Sequence, residues 1–432
     1  MAPLACAGVA ASIPRIMDSF KVRAVRGGAA RLGSQIINVI LRLGSLVIMG
    51  RLLSPNDYGL IAMVMAPLGI LGLFRDLGLS TVAIQHPELS KRQKSTLFWL
   101  NMGLACSLTG IAILSAPLLV GFYGDTRLSL LAVVMSSWFL LNAAIDQHAA
   151  LLQREMRFVQ IALIDILANL SGVTVGIVLA LHGAGYWAIA AMTLTTPAVY
   201  AISVWLTAGW LPGLPRCGVG VLSMVKSGGL LTAAAFAWYL AQNLDKVLIG
   251  RLFGADALGL YSRAYTLINL PSDVLYAAMR NVAMSTLSRL SGDAASVRSY
   301  FLRSYSILVS ITIPIAFACA VFAEEFIVLM LGPKWSEAAV IFRNLAPSAL
   351  ALGLINPTWP LLVSLGLFKR NLAVGLAVAP ACIAGYTIGL PWGAEGAAIG
   401  LSAALMLSAL PILAWTVNGT AVSVRDLLSQ IY

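Results

Sequence analysis

Apolar runs of about 20 residues recur along the whole sequence, parted by short polar connections, and each is long enough for one helix to cross the hydrocarbon core of a bilayer. Twelve spans are predicted, over 31–50, 57–80, 96–120, 128–150, 159–181, 185–208, 226–250, 257–288, 300–321, 337–364, 371–390 and 394–416. The segment FIVLMLG at 326–332 is too short to cross and is expected to cap the outer mouth between the ninth and tenth spans. Of the 432 residues, 59% are hydrophobic and 10% charged, whereas a soluble chain carries about 25% charged residues. The expected fold class is therefore an all-α polytopic membrane protein. Cys6, Cys106, Cys217, Cys319 and Cys382 form no C-x-x-C pair and read as small hydrophobes.

Lysine and arginine set the orientation, because cytoplasmic connections carry their excess. With the N-terminus inside, 18 of the 28 fall on cytoplasmic segments and only four, Arg51, Arg127, Arg251 and Lys334, on outer ones. Both termini are expected in the cytoplasm. The apolar stretch at 3–13 precedes Arg15, Lys21, Arg23 and Arg26, the reverse of the order in a secretory signal, so 1–30 reads as a cytoplasmic arm. The net charge of +11 follows from this topology and calls for no nucleic-acid partner. Seven tryptophans, Trp99, Trp187, Trp205, Trp210, Trp335, Trp392 and Trp415, fall near span ends, as interfacial belts require. Trp138, Trp238 and Trp359 lie nearer mid-span, where they either pack or line a polar path.

The longest internal connection, 209–225 with Pro212 and Pro215, divides the chain into two lobes of six spans, 31–208 and 226–417, followed by a cytoplasmic tail over 418–432. The lobes repeat one another. VIMGRLLSPNDYGL (47–60) aligns without gaps to VLIGRLFGADALGL (247–260) with six identities, and FRDLGLST (74–81) aligns to MRNVAMST (279–286). The second offset is longer by five residues, which a bend at Pro271 would absorb. Six is an even number, so the repeat is parallel, a plan common to transporters, with a substrate path expected between halves.

Arg42, Arg75, Lys246, Arg263, Arg280 and Arg343 remain inside spans. Each costs roughly 2.5–3.5 kcal/mol at mid-bilayer unless a cavity, a carboxylate or the interface meets it. Arg42 lies deepest, and Arg75 and Arg280 occupy equivalent places in the repeat. Arg42 and Arg280 are the first candidates to bind an anionic substrate, with Arg75 and Lys246 second, since arginine grips phosphate oxygens in a bidentate fork. Asp165, Asp273 and Asp245 are coupling sites or charge partners. Local pairs Asp245–Lys246 and Arg75–Asp76 are the structural alternatives.

Several of these segments, RLGSQIINVILRLGSLVIMGRLLSPNDYGLIAMV, FRDLGLSTVAIQ, NLDKVLIGRLFGADALGLYSRAYTLINLP and LGPKWSEAAVIFRNLAP, resemble polysaccharide-export flippases of the multidrug/oligosaccharidyl-lipid/polysaccharide (MOP) superfamily, most of all the colanic-acid-type repeat-unit exporters. The resemblance implies two six-helix lobes, with the first, second, seventh and eighth helices lining a central cavity. It implies an undecaprenyl-diphosphate-linked oligosaccharide as cargo, a bacterial inner-membrane location, and polymerase and glycosyltransferase machinery as candidate partners. Many relatives have fourteen helices, so any groove formed by their last pair is not carried over. A drug or metabolite antiporter of the same superfamily is the rival reading, but cationic drugs call for an acidic cavity. A polytopic ligase or acyltransferase is a second rival. Against it, His86, His148 and His182 are scattered and no metal, phosphate-loop or nucleophile-elbow motif appears, so neither enzymatic activity nor a cofactor is expected.

Overall fold

The computed structural model describes residues 28, 30, 31, 33–75, 91–214, 222–290 and 292–430. Most of the expected N-terminal arm, Asp76, His86, Cys6 and Cys217 lie outside the described residues. Each of the twelve predicted spans holds helix over most of its described residues. They are α1 (Gly33–Leu52), α2 (Pro55–Gly72), α3 (Lys91–Tyr123), α4 (Arg127–Arg154), α5 (Phe158–Leu181), α6 (Tyr186–Ala208), α7 (222–253) and α8 (255–290), and then α9 (Ala294–Val321), α11 (Ser336–Ile355), α13 (Phe368–Gly389) and α14 (Gly393–Val417). The short segment after the ninth span is the nine-residue helix α10 (Ala323–Leu331). The tenth span is broken: a 3-10 turn at Asn356–Thr358 separates α11 from α12 (Trp359–Ser364). A tail helix, α15 (Val424–Leu428), is held by Arg298, whose guanidinium donates to Asp426 at 2.7 Å. That ion pair holds the Asp426 carboxyl well below the usual carboxylate range.

Helix α7 passes into α8 with a single break at Gly254, where φ is 82°. Only glycine adopts this backbone at little cost, so one residue reverses the chain between two long helices. Prolines lie inside helices at Pro67, Pro117, Pro197, Pro271, Pro314, Pro347, Pro380 and Pro411, a usage common in membrane helices.

By contacts the chain forms two compact units. The first comprises Met1–Leu46, Phe74–Leu114 and Val133–Gly229, and the second Val47–Leu73, Ser115–Ala132 and Leu230–Tyr432. In the first, Phe98 of α3 is surrounded edge-on by Trp99, His148, Trp205 and Trp210. The His148 ring stacks on Trp205 at 4.4 Å and its Nε2 lies 3.2 Å from the Trp210 carbonyl oxygen. Buried and stacked among these rings, this histidine packs. The same cluster fastens the start of the 209–225 connection: Trp99 Nε1 donates to the Gly213 carbonyl at 2.8 Å, and Gly213 N donates to Ser95 Oγ at 3.0 Å.

The second unit displays the repeat as a helix contact. A Cβ at Gly59 in α2 would sit 1.8 Å from the Ala255 carbonyl oxygen, and one at Gly259 in α8 would sit 1.9 Å from the Pro55 carbonyl oxygen. The positions 55, 59, 255 and 259 are related by the offset of 200 read in the sequence. Asn56 Nδ2 donates to Asp256 Oδ2 at 2.9 Å, again 200 residues away. The first turns of α2 and α8 thus meet reciprocally about a local two-fold, at a distance only glycine permits. Around them, Trp335 Nε1 donates to the Gly50 carbonyl at 2.8 Å and Arg51 to the Leu329 carbonyl at 2.7 Å, which binds α10 to the end of α1.

Candidate functional site

Among the described residues, eight helical stretches are long and apolar enough to cross a bilayer, and neither α2 nor the α7–α8 pair is in that set. Polar side chains of α7 and α8 meet at a cavity of about 630 Å³ in the second unit. Its lining follows helical periodicity. Trp238 and Gln242 stand one turn apart on α7, while Tyr265, Asn269, Asp273 and Tyr276 make one stripe on α8 with Ser272 beside it. The 3-10 turn between α11 and α12 contributes Asn356 and Thr358, followed by Trp359, and α13 contributes Asn371. Pro271 lies within the α8 stripe and donates no N–H to the carbonyl four residues before it, which leaves one more acceptor on this segment.

Lys246 adjoins the cavity, one turn beyond Gln242. Its ammonium donates to the Gln242 carbonyl at 3.0 Å and to Asn243 Oδ1 at 2.9 Å, and it stands 4.5 Å from the centre of the Tyr265 ring. The Tyr265 hydroxyl in turn donates to Gln242 Oε1. Asp245 is buried and does not form the local ion pair that adjacency in sequence suggests. Its carboxylate accepts the Tyr261 hydroxyl at 2.6 Å and the backbone N–H of Lys246 at 2.8 Å. Neighbours in sequence on a helix point about 100° apart, so the two side chains diverge.

The other sequence candidates are dispersed. Arg75 is engaged by Asp146 of α4 at 2.9 Å and lies over the Trp138 ring at 5.6 Å, so the mid-span Trp138 packs against a cation. Asp165 pairs with Arg31 at 3.1 Å, not with Arg42. Arg42 is exposed, and no hydrogen bond or ion pair to its side chain is found among the described residues. Arg263 lies over the Tyr58 ring at 3.5 Å, and Arg343 is exposed. Arg280 falls in α8, but its side chain is outside the described residues. Of the charged candidates whose side chains are described, Asp273 lines the cavity, and two of the mid-span tryptophans, Trp238 and Trp359, line it too. Charge does not mark Gln242, Asn269, Asn356 and Asn371. The signal for the first two is the pairing of an aromatic with an amide four residues on, 238/242 and 265/269.

Comparison with known proteins agrees with this architecture. The chain is 26% identical over 304 residues to the teichuronic acid biosynthesis protein TuaB of Bacillus subtilis (strain 168), a match that covers 67% of this chain and 61% of TuaB. It is 25% identical over 392 residues to the lipopolysaccharide biosynthesis protein WzxC of Escherichia coli (strain K12), covering 88% of this chain and 78% of WzxC. Its fold is shared with the lipid II flippase MurJ in an inward closed conformation, with a TM-score of 0.74 at 12% identity over 94% of this chain and 90% of MurJ. A family model described as polysaccharide biosynthesis protein matches residues 48–340, well over half of the sequence, and the chain belongs to that family.

Proposed function

We propose that this protein is a flippase that moves an undecaprenyl-diphosphate-linked saccharide repeat unit across the bacterial inner membrane by alternating access, with both termini in the cytoplasm. The observation that carries the reading is a cavity lined by polar and aromatic side chains in a chain from a polysaccharide biosynthesis family. A sugar-bearing head group cannot cross hydrocarbon unaided, because each hydroxyl or charge stripped of water without a partner costs several kcal/mol, on the order of 2–7 for a neutral polar group. A protein that accelerates the crossing must supply polar partners along the way. Arg42 and Arg280 are assigned to the diphosphate, with Arg75 and Lys246 as second choices; Arg75 would have to leave Asp146 to serve. Asp165, Asp245 and Asp273 are the acids available for coupling or for charge balance. Polymerase and glycosyltransferase machinery would act on the cargo on either side.

Deletion of the gene in its host tests this reading. Lipid-linked saccharide should accumulate on the cytoplasmic leaflet and surface polysaccharide should fall, with both restored by the wild-type chain. An unchanged lipid-linked pool together with unchanged surface polysaccharide would reject it.

A further inference from the structure

The cavity of the second unit has a chemistry that a diphosphate does not explain. Among the described residues no lysine or arginine lines it, and its one charged lining residue is Asp273, whose carboxylate would repel a phosphate. Its volume of about 630 Å³ is many times that of a bare ion and falls in the roughly 300–1,000 Å³ range of small-molecule sites. The lining pairs flat aromatic faces, Trp238, Tyr276 and Trp359, with side-chain amides, Gln242, Asn356 and Asn371. A carboxamide places a donor pair and an acceptor side by side, which matches two neighbouring hydroxyls on a pyranose. An aromatic face accepts the C–H face of the same ring. Among the described residues the side chains of Ser272, Asn356 and Asn371 make no hydrogen bond within the protein, and a buried polar group without a partner is costly.

We infer that this cavity is a binding subsite for an uncharged sugar of the lipid-linked saccharide. The inference rests on the flippase reading. The aromatic walls fix the plane of the ring, and the amides on two separate elements, the α11–α12 turn and α13, read its hydroxyls. A subsite of this kind would select cargo by its saccharide, whereas a phosphate clamp alone would accept any lipid diphosphate.

The probe is the lipid-free oligosaccharide released by mild acid from the lipid-linked pool of the deletion strain. Purified full-length protein in nanodiscs is titrated with it, and tryptophan fluorescence is followed, since Trp238 and Trp359 report from the cavity. Saturable quenching is expected, weakened about tenfold or more in Asn371→Leu and in Asn356→Leu, the scale of one lost hydrogen bond with its partner left unmet. Binding of sugar-free undecaprenyl diphosphate to the same variants should be unchanged, which also shows that they are folded. Absence of oligosaccharide binding, or equal binding to wild type and both variants, overturns the subsite and leaves the flippase reading intact. Loss of undecaprenyl diphosphate binding in these variants overturns it too, because the cavity would then hold the head group. If the deletion strain accumulates no lipid-linked saccharide, the flippase reading fails and the subsite falls with it.

Discussion

Arg42 and Arg75 are both arginines within predicted spans, yet they stand in opposite situations. Arg75 has Asp146 at 2.9 Å, with 21% and 15% of the two side chains exposed, and the Trp138 ring beneath it. Removing one partner of a buried pair costs about 3–5 kcal/mol, and less where water still reaches it. Arg75→Ala should therefore lower the thermal unfolding temperature in detergent, and Asp146→Ala added to it should recover part of the loss. Wild-type stability in Arg75→Ala, combined with lost export, would instead make Arg75 a substrate contact. For Arg42 the order reverses. Arg42→Ala should keep wild-type stability and membrane levels while abolishing export, and Arg42→Lys, which keeps the charge and loses the fork, should export partially. Each charge could be set within an apolar span from the sequence, but its partner could not. Arg75 meets an acid 71 residues away, and Lys246 turns from its neighbour Asp245 toward Gln242 and Asn243.

At the scale of elements, hydropathy located the helices well because a span must satisfy all its backbone groups internally. It could not show that the tenth span breaks at Asn356–Thr358, since a 3-10 turn flanked by apolar residues leaves the average unchanged. That turn brings Asn356 to the cavity wall, so the missed break also hid this residue. The internal repeat was more informative. An offset of 200, read from six identities, reappears as the reciprocal contact of Gly59 with Ala255 and of Gly259 with Pro55. Gly59→Ala must push α2 away from α8, and overpacking of this sort costs about 1–3 kcal/mol. Gly110→Ala, at a site with no neighbour within 4 Å, should be neutral or slightly stabilising, and thermal unfolding of the two variants side by side measures the difference. Equal unfolding temperatures would show that the α2–α8 approach is looser than described. Cysteines at Asn56 and Asp256 should cross-link readily, and a cross-linked fraction that still exports would show that this contact need not open during transport.

For the whole molecule, the charge bias expects a multi-pass protein with both termini inside. A cysteine at Asp125 should react with an impermeant maleimide added outside intact cells, and one at Asp426 only after permeabilisation; the reverse pattern would invert the orientation. The measurement that tests the account most directly is movement of the cargo itself. The protein is reconstituted into liposomes carrying the lipid-linked saccharide of the deletion strain in both leaflets, and an impermeant glycan-cleaving enzyme is added outside. With wild-type protein the enzyme should consume nearly all of the saccharide, as inner-leaflet molecules are brought out. With Arg42→Ala it should stop near one half, as in protein-free vesicles. Wild-type protein that also stops at one half would contradict the proposal that this chain flips a lipid-linked saccharide.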